Sequence, residues 1–160
     1  MEALISNTQD VQGEKLRRAA KVAITRSNGD LLILWRSLGD EHRPGGADFP
    51  GGGLELRESP VQGALREVWE ETAIQLDKSD LHFVGRFTKP LSEPDNPTKE
   101  IESTVFRAYV DNPDVQLRRS EHHTYDWIPP LEVQRRGLLA ASVSKTACLQ
   151  AIIFEQAQSA

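Results

Sequence analysis

The stretch from residue 50 to residue 74 constrains this chain more than any other. Pro50-Gly51-Gly52-Gly53 is backbone-permissive and must turn sharply. Ser59 is a good N-cap, Pro60 suits the first helical position and Gln62 completes a capping box, so a helix is predicted over Pro60–Thr72. Val61, Ala64, Leu65, Val68 and Thr72 form one apolar stripe on it. Gly63 is a mild weakness, costing about 1 kcal/mol relative to Ala. The face away from the stripe carries Glu67, Glu70 and Glu71. Positions i, i+3 and i+4 are neighbours on a helix surface, so these like charges repel unless a cation meets them. Glu55 and Glu58 lie just upstream, and the five carboxylates gather at one loop–helix junction. Oxygen ligands of this kind suit Mg²⁺ or Mn²⁺. A glutamate-rich helix face is by default a solvated surface, and Arg66 can simply pair with its neighbours. Only the spacing of the whole set separates the two readings.

With 160 residues the chain has room for one domain and a real core. Residues 1–15 are polar and aperiodic and read as a flexible arm; 16–160 read as a single domain. The formal charge of -5 argues against a general nucleic-acid or anionic-membrane binder. A polyanionic substrate would then need local neutralisation, for instance by a metal. The single cysteine excludes a disulfide framework and a Cys-based zinc site. No apolar run approaches a membrane span, and the N-terminus has no basic-then-apolar leader pattern, so a cytoplasmic location is the default expectation. Strands are expected at residues 21–25 and 31–35, joined by the hairpin chemistry of Ser27-Asn28-Gly29-Asp30. Further strands are expected at 81–88, 104–110 and 125–128, and a second amphipathic helix at 145–156. A Pro-rich loop (Pro90, Pro94, Pro97) joins the strands at 81–88 and 104–110. Strands on both sides of a central helix, with a helix at the end, predict a mixed sheet packed between helices.

The spacing around the carboxylates resembles the Nudix hydrolase family. The family box runs Gly, five residues, Glu, seven residues, Arg-Glu, an aliphatic residue, any residue, Glu-Glu, any residue, Gly, aliphatic. Here Gly52 is followed by Glu58 after five residues, then by Arg66-Glu67-Val68-Trp69-Glu70-Glu71-Thr72-Ala73-Ile74 after seven more. Every fixed charged position matches, and Pro50-Gly51 and Glu55 also fit the family's common flanks. Ala73 replaces the last box glycine, and Arg57 stands where many members have glycine before the box glutamate. Alanine at 73 carries a steric cost if φ there is positive. Pro44-Gly45-Gly46 is a decoy, because six residues after Gly46 is Gly52 rather than glutamate.

The resemblance implies an α/β fold, a Nudix-type α/β/α sandwich with a mixed central β-sheet, over roughly residues 17–156. It also implies roles. Glu67, Glu70 and Glu71, with the Gly52 carbonyl, would bind Mg²⁺ or Mn²⁺. Glu55, Glu58 and Arg66 would orient those ligands. Glu70 and Glu121 are the candidates for the group that takes a proton from the attacking water. Arg36, at the end of the second strand, would contact substrate phosphate. The implied activity is a metal-dependent pyrophosphohydrolase. It would cleave a phosphoanhydride of a nucleoside di- or triphosphate or nucleotide derivative by attack of a metal-activated water. The alternative is a catalytically weak nucleotide-binding or regulatory module of the same fold. An isopentenyl diphosphate isomerase relative would use a catalytic cysteine, and Cys148 lies in the C-terminal helix. Small nucleotide-type molecules are the expected partners, nucleic acid and membrane are not, and a homodimer is left open. His122 and His123 are adjacent, so in an extended segment they point apart and do not form a joint site. Trp35, Trp127 and Cys148 are read as core residues.

Overall fold

The computed structural model describes residues 8–11, 14–41, 43–90 and 100–160. The chain opens with β1 (Thr8–Val11) and β2 (Glu14–Thr25), paired antiparallel from Thr8↔Arg17 to Val11↔Glu14. The expected arm over residues 1–15 therefore meets strand structure at 8–11 and from Glu14 onward; residues 1–7 and 12–13 lie outside the described residues. β2 is long because neighbours on both sides satisfy its backbone, and tertiary pairing overrides the polar composition of its first half.

The elements that follow are β3 (Leu31–Arg36), β4 (Ala47–Asp48), β5 (Gly51–Gly53), α1 (Pro60–Thr72), β6 (His82–Pro90), β7 (Glu100–Tyr109), β8 (His122–Ile128), α2 (Pro130–Arg135) and α3 (Val143–Gln158). The central order is β4-β3-β2-β7-β6, with β1 and β5 also on β2 and β8 on β3. The β2–β7 ladder is parallel and the others are antiparallel, so the sheet is mixed as expected. The loop with Pro94 and Pro97 lies outside the described residues.

Side-chain alternation divides the core. Ala20, Val22 and Ile24 of β2 and Leu32 and Leu34 of β3 join Ala64 and Val68 of α1 on one face. Ala23, Leu31 and Ile33 point the other way, onto Cys148, Leu149 and Ile152 of α3. This is the α/β/α sandwich the resemblance implies, and Cys148 is a core residue within it.

Three local features depart from expectation. After β8 a short helix not expected from the sequence, α2, starts at Pro130, since proline at the first helical turn lacks only a donor that would go unused. Gly51–Gly53 is a strand, pairing with Ala19–Lys21. It approaches so closely that a Cβ on Gly51 (φ 136) would overlap the Ala20 carbonyl. Gly63 keeps its propensity cost but also clears space, because a Cβ there would overlap the end of the Leu54 side chain and lie 2.9 Å from Glu58 Oε1.

Candidate active site

Helix α1 has the expected bounds and capping box: Ser59 Oγ accepts from Gln62 N at 3.1 Å, and Gln62 Oε1 accepts from Ser59 N at 2.9 Å. It ends at Ala73 in the left-handed conformation, φ 57. Arg57 is also left-handed, φ 63. Both departures from the family pattern thus fall where glycine would avoid a Cβ clash.

Arg66 organises the solvent side of the box. Its Nε and Nη2 donate to Glu58 at 2.8 Å each, Nη1 donates to Glu67 at 2.8 Å and Glu70 at 3.2 Å, and Nη2 also donates to the Gly53 carbonyl at 3.1 Å. Glu55 is only 3.7 Å from Arg66 Nε and well exposed. Hydrogen bonds to Arg66 are the main cause that holds the Glu58 carboxyl below its usual range. Much of the repulsion expected between glutamates is therefore relieved within the chain.

Glu71 needs a correction. The sequence placed it on the outward face, but it is 3% exposed. Ala64, Val68 and Glu71 stand at i, i+4 and i+7, which is one stripe of a helix, so Glu71 extends the buried stripe toward the glycine strand. It accepts a hydrogen bond from Gly51 N at 3.0 Å. Burial pushes its carboxyl up to about 8, while nearby Lys21 and the Gly51 bond pull the other way.

A cavity of about 590 Å³ opens beside this stripe, lined among others by Lys21, Arg36, Gly51, Gly52, Gly53, Glu67, Glu71, Glu121 and His122. Gly52 leaves the space Glu67 occupies, since a Cβ there would lie 2.9 Å from the Glu67 carboxyl carbon. Glu121, far away in sequence, comes beside Glu71: ligand atoms of Glu71, Glu121 and His122 all lie within 4.8 Å of one another. Oxygens and nitrogens on one Mg²⁺ or Mn²⁺ sit at most about 4.2 Å apart, so small side-chain adjustments would be enough for this set to meet around a divalent ion. Among the described residues, both ring nitrogens of the buried His122 lack a hydrogen-bond partner, which also fits a ligand-binding role. Glu70 is held between Arg66 and Arg118, the latter at 3.9 Å, and Arg118 is also 3.7 Å from Glu121.

Arg36 lines the cavity, with its guanidinium bound to Asp40 and, at 3.0 Å, to Asp48. Asp48 is a feature the sequence reading missed. It is fully buried, and Lys21 (3.1 Å), Arg36, Arg43 (3.4 Å) and Lys145 surround it. Burial alone would raise its carboxyl; Lys21 and Lys145 overcome this and hold it far below the usual range. Lys145 faces one anion and two other cations, so burial prevails and pulls it down to about 8. The available signals were a lysine inside an apolar strand and an aspartate between Ala47 and Phe49. His122 was also missed as a site residue, although the expectation that the two histidines diverge holds. His123 is exposed, with Nδ1 2.9 Å from the Arg36 carbonyl.

A NUDIX domain profile matches residues 15–147. The chain belongs to the Nudix family. A MutT-like protein of Streptomyces ambofaciens is 34% identical over 113 residues, covering 71% of this chain and 64% of that protein. An 8-oxo-dGTP diphosphatase of Escherichia coli K12 is 36% identical over 53 residues, covering 33% of this chain and 41% of that enzyme. This Nudix chain thus spans less than two thirds of the length of these curated relatives. Among solved structures, a MutT protein from Methanosarcina mazei Go1 superposes with a TM-score of 0.73 at 27% identity, covering 92% of this chain and 99% of that one. No helix among the described residues is long and apolar enough to cross a membrane.

Proposed function

We propose that this Nudix protein is a divalent-metal-dependent pyrophosphohydrolase that cleaves a phosphoanhydride bond of a small nucleotide-type substrate by attack of water. The observation that carries the reading is the convergence of Glu67, Glu71 and Glu121 on one cavity walled by the glycine strand. Glu67, Glu70 and Glu71, with the Gly52 carbonyl, are the residues that would hold Mg²⁺ or Mn²⁺. When bound, the cation supplies charge neutralisation of the phosphates and acidification of water. Arg66 fixes Glu67 and Glu70 in place, and Glu58 in turn fixes Arg66. Glu121 or Glu70 accepts the proton of the attacking water; the position of Glu121 next to Glu71 favours it as the nearer base. Arg36 keeps its guanidinium at the cavity wall, where it can meet phosphate oxygens.

A second cavity of about 480 Å³ shares Lys21 with the first and is lined by Phe87, Ser142 and Ser144 among others. An aromatic face beside hydroxyls suits a nucleobase, with the phosphates reaching toward the first cavity. The E. coli relative's activity on an oxidised purine nucleotide supports testing that class first.

The test is a screen of nucleoside triphosphates, nucleotide sugars and dinucleoside polyphosphates with and without EDTA, detecting phosphate and pyrophosphate. Glu70→Gln should lower kcat at least about a hundredfold, the scale of a general base or an essential ligand. Turnover that survives both EDTA and Glu70→Gln would refute the proposal. Nucleotide binding with no turnover of any class would favour a binding module instead.

A further inference from the structure

The buried imidazole of His122 has no hydrogen-bond partner among the described residues, and the backbone around it is built to turn it inward. Strand β8 pairs with β3 through Trp35↔Thr124 and then Arg36↔His122, so His123 is an extra residue forming a bulge. Bulges beside functional sites re-aim side chains. Here the bulge sends His123 to the surface and His122 into the wall of the first cavity. The turn before it is pinned by Ser37 N donating to the Glu121 carbonyl at 2.8 Å and by His122 N donating to the Arg118 carbonyl at 3.2 Å.

A buried polar ring with neither nitrogen satisfied costs stability unless a ligand completes it. His122 is 3% exposed, and both Nδ1 and Nε2 lack partners. Carboxylate oxygens of Glu71 and Glu121 come within 4.8 Å of it, and Asp48, Lys21 and Arg36 also lie close enough to act on the ring. Two carboxylates and one neutral imidazole make a mixed oxygen–nitrogen donor set. Carboxylate and water ligands suit Mg²⁺ and Mn²⁺ alike, whereas a nitrogen ligand adds affinity for first-row transition ions that rises from Mn²⁺ to Co²⁺.

We infer that His122 is a direct nitrogen ligand in a Glu71–Glu121–His122 metal position, and that it tilts this position toward Mn²⁺ and Co²⁺ over Mg²⁺. The inference rests on the metal-dependent reading above and adds to it a specific ligand and a metal preference. A carboxylate-only site would discriminate weakly between these ions. The His122 nitrogen supplies the discrimination, while Glu121 would give one carboxylate oxygen to the ion and keep the other to receive a proton.

The test uses Mn²⁺ alone as the probe of the 160-residue chain, read by electron spin echo envelope modulation, which detects ¹⁴N bonded to the ion. Wild-type protein should show directly coordinated nitrogen, His123→Gln should retain it and His122→Gln should lose it. Calorimetric titration should show Co²⁺ binding weakened at least about tenfold by His122→Gln, the scale of losing a ligand or its support. Mg²⁺ binding should change by less than about threefold, because imidazole contributes little to a hard ion. Mn²⁺ that binds wild-type protein without nitrogen coupling overturns the inference and leaves the metal reading intact. Mn²⁺ that fails to bind wild-type protein overturns both. The wild-type spectrum decides the point even if His122→Gln does not fold.

Discussion

Two charge clusters flank the glycine strand and are near inversions of each other. On one side, a single cation, Arg66, gathers Glu58, Glu67 and Glu70 at a partly open surface. On the other, a single anion, Asp48, is sealed among Lys21, Arg36, Arg43 and Lys145. The open cluster can lose a member and let water or an ion take its place. The closed one cannot, because removing its centre leaves the buried Lys145 and the half-buried Lys21 facing each other without the carboxylate they share. The first is therefore suited to exchange ligands, and the second to hold β2, β3, β4 and α3 together.

The sharpest way to break this contrast is to neutralise each side in turn. Asp48→Asn should destabilise the protein by about 3–5 kcal/mol, the usual result of stripping one partner from a buried charge cluster. In a protein of this size that lowers Tm by roughly 10 °C. Urea unfolding measures it, and a loss below about 1 kcal/mol would mean the cluster is not holding the fold. Glu70→Gln, the substitution expected to lower kcat at least about a hundredfold, should shift stability by less than about 1 kcal/mol, since a partly exposed ion pair contributes little.

Acid should expose the same asymmetry. The Asp48 carboxyl is depressed on folding, so its stabilisation is complete above the ordinary value of 3.8 and is lost as pH falls below it toward the folded value. The stability gap between wild type and Asp48→Asn should stay constant from pH 7 to about 5 and narrow steadily below about 4. A gap that widens on acidification would reverse the sign of the assignment.

Smaller effects probe how the helix beside the open cluster is seated. Gly63→Ala gains about 1 kcal/mol of helix propensity but must displace buried Leu54. Overpacking typically costs about 1–3 kcal/mol, so a net loss of about 1 kcal/mol is expected by thermal or chemical unfolding. The smallest change should come from Ala73→Gly and Arg57→Gly. Each relieves a left-handed strain of about 1–2 kcal/mol and forfeits part of that gain through a more flexible unfolded chain. A net stabilisation of about 0.5 kcal/mol per site is expected, and a loss at both would argue against the positive φ angles.

Legibility in the sequence followed locality. Helix α1, its caps and the Arg66 cluster sit within 22 residues of Gly52, so helical periodicity and one short loop bring their charges together. The layered sheet was readable because β2 and β3 alternate and the box resembles a known family. Glu71 was misplaced because three glutamates were read as one face, although 100° per residue carries the third around to the stripe of Val68. The Asp48 cluster was invisible because its members come from β2, β3, the 37–46 loop, β4 and α3, and no spacing rule links them. His122 was hidden for a related reason. Strand alternation gave its direction relative to His123, but only the bulge and the docking of the 118–122 turn against α1 and β3 determine what it faces.

Lys21 stands on the wall between the two cavities, and its three ammonium donors are all committed, to Asp48 Oδ2 at 3.1 Å, the Phe49 carbonyl at 3.3 Å and the Gly51 carbonyl at 2.9 Å. A lysine ammonium has no fourth donor to offer. It cannot close a new hydrogen bond onto an arriving anion without abandoning one of these, so it acts as a fixed source of positive potential rather than as a grip. Such a charge is oriented before the encounter and needs no rearrangement during it. Its influence belongs to the approach of an anionic molecule, where it should appear in the ionic-strength dependence of the association rate more than in how long the molecule stays.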